Sequence, residues 1–347
     1  MIGAYFLGNQ QIEVRSLNFP EPGEGQVLLR VCACGVCGTD VHIYQGGKGS
    51  ADVTPPVILG HEFSGYIEKI GPGVTGLKVG QLVTVDPNIY CGKCLPCRQG
   101  QKQMCHHMGA VGVNMDGGFA DYCLAPYAQC VAVPEGTDPE LAAMAEPIAC
   151  CLHGIDRVGI RPGENVLVVG GGTIGQIMLQ LARRAGAAKV VLSEPVEKRR
   201  ALALELGADA AIDPIHENLN ERLYEILGCE GADVVIECVG HPKTSEQAID
   251  AATRCGRIML FGVPHPEAVL QTKMHPIFQK ELTIMGSFVN PDTQSRAVAL
   301  IASGQLNLKP LITHRYPVSQ LEDAIKMQTS AESIKVLVVT EEQQNVY

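Results

Sequence analysis

Tryptophan is absent from the 347 residues, and aromatic side chains make up only 5%. A chain so poor in flat rings offers no stacking platform for single-stranded nucleic acid. It also lacks a basic excess: the net charge of −10 repels phosphate backbones and anionic lipid surfaces. Residues 1–14 lack a basic stretch leading into an apolar core, so no secretory leader is expected. No apolar run is long enough to span a bilayer. The strongest, 166–182, is broken by Gly170, Gly171, Gly172 and Gly175, the punctuation of a strand, a turn and a helix. Charged residues at 18% and hydrophobic residues at 46% exclude disorder, and the length predicts about two domains.

Cysteine and glycine, by contrast, are abundant, with 14 and 38 residues. In a long chain kept in a reducing cytoplasm, clustered thiols read as metal ligands or catalytic groups before disulfides. Residues 1–148 are rich in glycine, proline and cysteine, with β-like runs at 26–31, 63–70 and 81–87. Residues 149–285 alternate strand and helix. Strands are expected at 166–169, 189–193, 233–238 and 256–261, and helices at 173–185, 197–206, 217–227 and 244–253. That alternation predicts βαβ units around a parallel sheet. From 286 the texture is mixed again, with a helix near 294–302 and a last strand at 336–339. The simplest architecture is an α/β chain: a β-rich domain of 1–148 and 286–347, interrupted by a doubly wound domain of 149–285.

Gly170-Gly171-Gly172-Thr173-Ile174-Gly175 fits G-x-G-x-x-G, follows the strand-like ENVLVV and opens a helix. Gly170 permits the tight turn, Gly172 lets the backbone approach a pyrophosphate, and Gly175 lets helix and strand pack closely. The pyrophosphate would then meet the positive end of the helix. A second strand, KVVLSE, ends in Glu194, placed to accept from adenosine ribose hydroxyls. Glu194 would repel a 2′-phosphate, which favours NAD over NADP; Lys198, Arg199 and Arg200 just beyond argue the other way.

Cys91, Cys94, Cys97 and Cys105 form C-x2-C-x2-C-x7-C. Four thiolates within 15 residues can close a tetrahedron around zinc and leave no position open, which makes the site structural. The iron–sulfur alternative fits the seven-residue last gap poorly. His106 and His107 adjoin the lobe and read as surface histidines. A second group is dispersed: Cys37 in GVCGTDVH, His61 and Glu62 in GHEFSG, and Glu146 in AEP. Cysteine, histidine, carboxylate and water would form a zinc site with an exchangeable position.

These motifs, with the four-cysteine lobe, DGGFADY and VGGGTIG, stand in the order found in the zinc-dependent medium-chain dehydrogenase/reductase family, which the whole chain resembles. The resemblance is greatest to its polyol, sorbitol and threonine dehydrogenase branch. It implies a GroES-like catalytic domain and a Rossmann domain, with two zinc ions per chain and NAD. Cys37, His61 and Glu62 would be the catalytic zinc ligands, with Glu146 bound directly or through water. Cys91, Cys94, Cys97 and Cys105 would hold the structural zinc. Thr39 and His42 would form a proton relay, and Asp40 would support the ligands. Thr173, Ile174, Arg199, Val239, Val263 and Ser287 would complete the cofactor site around Gly170, Gly172, Gly175 and Glu194. The implied reaction is reversible oxidation of a secondary alcohol, a polyol or sugar alcohol with or without phosphate. The alternatives are oxidation of L-threonine or a vicinal diol, and a non-enzymatic zinc- and NAD-binding protein. Val289 and Asn290 stand where animal sorbitol enzymes carry a substrate-contacting Arg-Tyr pair. The expected partner is a small alcohol, with no nucleic acid or membrane, in a cytoplasmic homo-oligomer, tetramer before dimer.

Overall fold

The computed structural model describes residues 1–47, 49 and 51–340. The chain forms two compact units: Met1–Ala149 with the described residues from Val289 onward, and Cys150–Phe288.

The second unit is built on six parallel strands. Their order across the sheet is Ala210–Ile212, Lys189–Ser193, Asn165–Val169, Ala232–Glu237, Ala252–Leu260 and Thr283–Gly286. The chain enters at Asn165–Val169, winds outward to one edge, then crosses to the other, and ligands bind at such a reversal of strand order. Val166, Leu167 and Val168 are fully buried because helices cover both faces, so the strand reads as a continuous apolar run.

The helix expected at 217–227 begins at Leu219, because the Asn218 side chain caps it by accepting from the Asn220 and Glu221 N–H groups. The helix expected at 244–253 is instead Pro242–Asp250. His241 caps it, Pro242 presets its first turn, and it stops where Ala252 enters the sheet.

The first unit carries a seven-stranded sheet with Gln26–Gly35 near its centre. Glu62–Ile70 pairs antiparallel with that strand along one side; Tyr122–Pro126 and Lys335–Val339 pair antiparallel with its first and last residues along the other. Registry matters here: Gly35 lies opposite Glu62 and also opposite Leu337. Segments 35, 62 and 337, remote in sequence, therefore meet at one point of the sheet. The helix Gly38–Tyr44 starts directly after it. Phe63, Phe119, Leu29 and Ile67 fill the core beneath. Among the described residues, no helix is long and apolar enough to cross a membrane.

Candidate active site and metal centres

Cys37 ends the turn out of Gln26–Gly35 and caps the helix Gly38–Tyr44. Its sulfur accepts from the Thr39 N–H at 3.5 Å, and the Asp40 carboxylate takes the Cys37 N–H at 2.8 Å. Each of these side chains satisfies a helix-start N–H and is locked in place by doing so. Thr39 and His42 lie three residues apart and so share one face of the helix. His61 and Glu62 arrive at the start of the neighbouring strand.

One donor atom each from Cys37, His61 and Glu62 lies within 4.8 Å of the others. Asp40 is fully buried, and its Oδ1 stands 3.5 Å from His61 Nδ1, so the other ring nitrogen, Nε2, is the one left for a metal. Glu146 is buried at the first turn of the helix Ala145–Val158, but its carboxylate is not in the three-residue group.

Sequence reading missed Lys335. It is 2% exposed, and its Nζ donates to the Val36 carbonyl at 3.1 Å and to Glu62 Oε2. The signal was a lone lysine opening the otherwise apolar run KVLVV. Burial opposes its charge, but Glu62 and Cys37 outweigh that and hold the ammonium above the ordinary lysine range. Burial raises the Cys37 thiol and Glu62 raises it further, against the pull of His61. Burial alone would lower the His61 imidazole; Asp40 and Cys37 reverse this and raise it well above its usual value.

Asp40 Oδ1 and His61 Nδ1, which face each other at 3.5 Å, have no closer hydrogen-bond partner. The Asp40 carboxylate thus stands behind the ring and leaves Nε2 on the side of Cys37 and Glu62. The thiol, imidazole and carboxylate set suits zinc and leaves a fourth position open.

The other cluster is local. The sulfurs of Cys91, Cys94, Cys97 and Cys105 lie within 4.8 Å of one another, carried by the short helix Leu95–Arg98 and the turn Lys102–Met104. Backbone N–H groups of Cys91 and His107 donate to Cys105 Sγ, and that of Cys94 to Cys91 Sγ, at 3.3–3.4 Å. N–H groups of Cys97 and His106 pull the Cys94 thiol down to about 6. Burial and the adjoining sulfurs push Cys97 up to about 12. Four thiols this close cannot all ionise without a cation, and a tetrahedral zinc meets that need. His106 and His107 are exposed.

In the other unit the expected cofactor residues collect on one edge of the parallel sheet. Gly170, Glu194, Val239, Val263 and Ser287 all follow the carboxyl ends of its strands, the edge where such sheets bind ligands. Gly172 caps the helix Thr173–Arg184, which also contains Ile174 and Gly175. The Glu194 carboxylate accepts from the Gly171 N–H at 2.6 Å and the Val196 N–H at 2.8 Å, so it braces the glycine turn as well as facing it. Arg200 is tied to the Glu194 and Pro195 carbonyls and to Asp213. Lys198 is exposed and Arg199 half-buried. The Ser287 hydroxyl is buried without a hydrogen bond. In the first unit Asn290 is fully buried, with its side chain engaged by Asn88, Asp86 and Gln294.

The profile of the alcohol dehydrogenase GroES-like domain matches residues 23–135, and that of the zinc-binding dehydrogenase domain matches residues 173–303. The L-threonine 3-dehydrogenase of Pyrococcus horikoshii is 37% identical over 331 residues, 94% of each chain. The sorbitol dehydrogenase of Halalkalibacterium halodurans is 37% identical over 335 residues, 95% of this chain and 96% of its own. A zinc-binding dehydrogenase of Sinorhizobium meliloti 1021, crystallised with NADP, superposes with a TM-score of 0.93 at 39% identity, over 97% of this chain and 98% of that one. With both family domains matched and relatives this similar over nearly the whole chain, the chain belongs to the zinc-dependent medium-chain dehydrogenase family.

Proposed function

We propose that the protein oxidises a secondary alcohol of a polyol or sugar alcohol reversibly to a ketone, using zinc and NAD. The observation that carries this reading is the convergence of one donor atom each from Cys37, His61 and Glu62 beside Thr39. When bound, zinc supplies Lewis acidity toward the alcohol oxygen and NAD accepts the hydride.

The chain's own residues do the rest. Cys37 and His61 hold the metal, with Asp40 fixing the imidazole through Nδ1. Glu62 adds a third donor, steadied by Lys335. Glu146 acts at the open position directly or through water. Thr39 Oγ1 accepts the alcohol proton as its own hydroxyl proton passes on, and the His42 ring carries the released proton to solvent. Cys91, Cys94, Cys97 and Cys105 hold a second zinc that stiffens their loop. The Gly170–Gly175 turn and the helix start receive the pyrophosphate, and Glu194 takes the ribose hydroxyls. Arg199, Val239, Val263 and Ser287 contribute to the rest of the cofactor site. NAD preference is supported by the anionic Glu194 and by Arg200, which is committed to carbonyls and Asp213. The NADP in the Sinorhizobium relative makes this choice the first to measure.

Oxidation of L-threonine at its secondary hydroxyl is a second reading, supported by equal identity, 37%, to the Pyrococcus threonine enzyme and the Halalkalibacterium sorbitol enzyme. A homo-oligomer, tetramer before dimer, is also part of the proposal. Thr283–Gly286 ends the parallel sheet, and Met274 and Phe278 just before it are 84% and 81% exposed. A cytoplasmic setting is supported by eight proposed metal-ligand positions that include five thiols, which must stay reduced to bind metal.

The test is NADH formation by the zinc-loaded protein across polyols, sugar phosphates, threonine and butanediols, with light scattering for the assembly. Turnover of one alcohol class names the substrate. A protein that holds zinc and NAD yet turns over none of them overturns the reading.

A further inference from the structure

We propose that Glu237 is a positioning residue for the dinucleotide, fixing with one buried side chain and its own carbonyl the two loops that carry Val239 and Val263. The proposal rests on the reading of the glycine turn as the cofactor site.

Glu237 ends the strand Ala232–Glu237 and is completely buried. A buried carboxylate is costly unless every oxygen is engaged. Here the following loop folds back over it. Oε1 accepts from the Val239 N–H at 2.8 Å and the Gly240 N–H at 2.9 Å, and lies 2.8 Å from the Thr244 hydroxyl, whose one proton it shares with the His241 carbonyl, also at 2.8 Å; Oε2 accepts from the Gly240 N–H at 3.1 Å. These donors are neutral, so the carboxylate acts as an anchor for the backbone rather than as half of an ion pair. The main-chain carbonyl of the same residue accepts from the Phe261 and Gly262 N–H groups, each at 2.9 Å. One residue thus ties down the loops after two adjacent strands.

The two loops touch backbone to backbone. A Cβ on Gly240, which has a φ of 79°, would strike the Val263 carbonyl, and one on Gly262 would strike the Gly240 nitrogen. On the other side, the Val239 methyl Cγ2 lies 2.6 Å from where a Cβ on Gly170 would stand. The Val239 side chain is therefore seated directly on the first glycine of the turn. Its position relative to the phosphate-binding backbone follows from the Glu237 hydrogen bonds. Val239 and Val263 remain 48% and 71% exposed at the carboxyl edge of the sheet, a pair of apolar surfaces held on a stiff frame. A flat ring of the cofactor would cover them. Glu237 itself reaches neither the cofactor nor solvent, so its effect passes through these loops.

The experiment uses the full-length, zinc-loaded protein and titrates NADH by its fluorescence, with steady-state KM for NAD, kcat, zinc content and Tm alongside. Glu237→Ala should weaken NADH binding by roughly ten- to a hundredfold, since it removes several hydrogen bonds to a charged acceptor. KM for NAD should rise in step, with zinc still at about two per chain. Glu237→Gln keeps one carbonyl oxygen in the place of Oε1 and should restore binding to within about threefold of native. Thr244→Val removes a single donor and should cost roughly three- to tenfold. If Glu237→Ala does not fold, the contrast between a near-native Gln variant and a weakened Thr244→Val supports the proposal.

Binding within twofold of native in folded Glu237→Ala or Thr244→Val overturns it, as does a Gln variant no better than Ala. A fall in Tm with the NADH affinity untouched means a structural role only, and also overturns it. A native protein that binds neither NADH nor NADPH overturns the dinucleotide reading itself, and this proposal with it.

Discussion

Both thiol-bearing centres belong to the same unit, yet they are built in opposite ways. The cluster at 91–105 is made within 15 residues, on short turns, with backbone N–H groups aimed at its sulfurs. It has four like donors and no place for a fifth group. The cluster at 37, 61 and 62 draws its donors from a helix start and a neighbouring strand, and its counter-charge from Lys335, at the far end of the chain. It has three unlike donors, a buried carboxylate behind one of them and the helix that carries Thr39 and His42 beside them. A closed, homogeneous set stiffens a loop; an open, mixed set in a buried pocket can take a substrate oxygen. The difference lies in the surroundings more than in the ion.

The sharpest way to break this comparison is to remove one ligand from each side. His61→Ala should lower turnover by roughly a thousandfold or more, the equivalent of several kcal/mol of lost Lewis acidity, while the fold persists. Elemental analysis should then find about one zinc per chain instead of about two. Cys97→Ser should also remove one zinc, but its main effect should be on stability, because the binding energy of a structural metal is folding energy. A drop in Tm of roughly 5–10 °C by calorimetry, with residual activity per folded molecule, is the expected outcome. Loss of stability from the histidine variant and loss of chemistry alone from the cysteine variant would reverse the assignments.

The relay comes next. Thr39→Val should slow single-turnover hydride transfer by about 100- to 10,000-fold, the range for a positioned proton acceptor. His42→Gln should cost less and recover in part with added imidazole. Single-turnover measurement is needed because slow NADH release hides chemistry in the steady state. An unchanged rate in Thr39→Val refutes the relay and leaves the metal assignments intact.

Lys335 sharpens the contrast through charge. Lys335→Met leaves Glu62 buried without its cation, a change that typically costs roughly 3–5 kcal/mol. The loss should be larger in the metal-free protein than in the zinc-loaded one, because the ion replaces part of the missing positive charge. Denaturant unfolding with and without chelator measures it, and equal losses in both forms would separate Lys335 from the metal site.

The smallest effect is on cofactor choice. Glu194→Ser should narrow the preference for NAD over NADP in kcat/KM and also weaken NAD itself, because Glu194 braces the Gly171 and Val196 N–H groups. A native protein more efficient with NADP would show that Glu194 was misread.

Much of this was legible in the primary sequence for a physical reason. Strands buried on both faces, such as Asn165–Val169, must be apolar throughout, and a turn that admits a phosphate must be glycine-rich. The four thiols of the 91–105 lobe lie within 15 residues of one another in the chain. Each of these constraints acts over a few residues, so local spacing records it. Helix ends were less exact, because the Asn218 and His241 caps and the return to the sheet at Ala252 decide them.

What only the tertiary structure decided is which distant segments meet. The pairing of Gln26–Gly35 with Glu62–Ile70 on one side and Lys335–Val339 on the other brings Glu62 to Lys335, 273 residues away in sequence. Periodicity can identify each strand as a strand, since alternation is a property of one segment. It cannot identify the partner or the register, because strand pairing depends on which backbone edges and side-chain faces are left to fill once the rest of the core has packed. For the same reason Glu146 could be named as a ligand from its motif, while its place outside the three-residue group at Cys37, His61 and Glu62 emerged only from the folded chain.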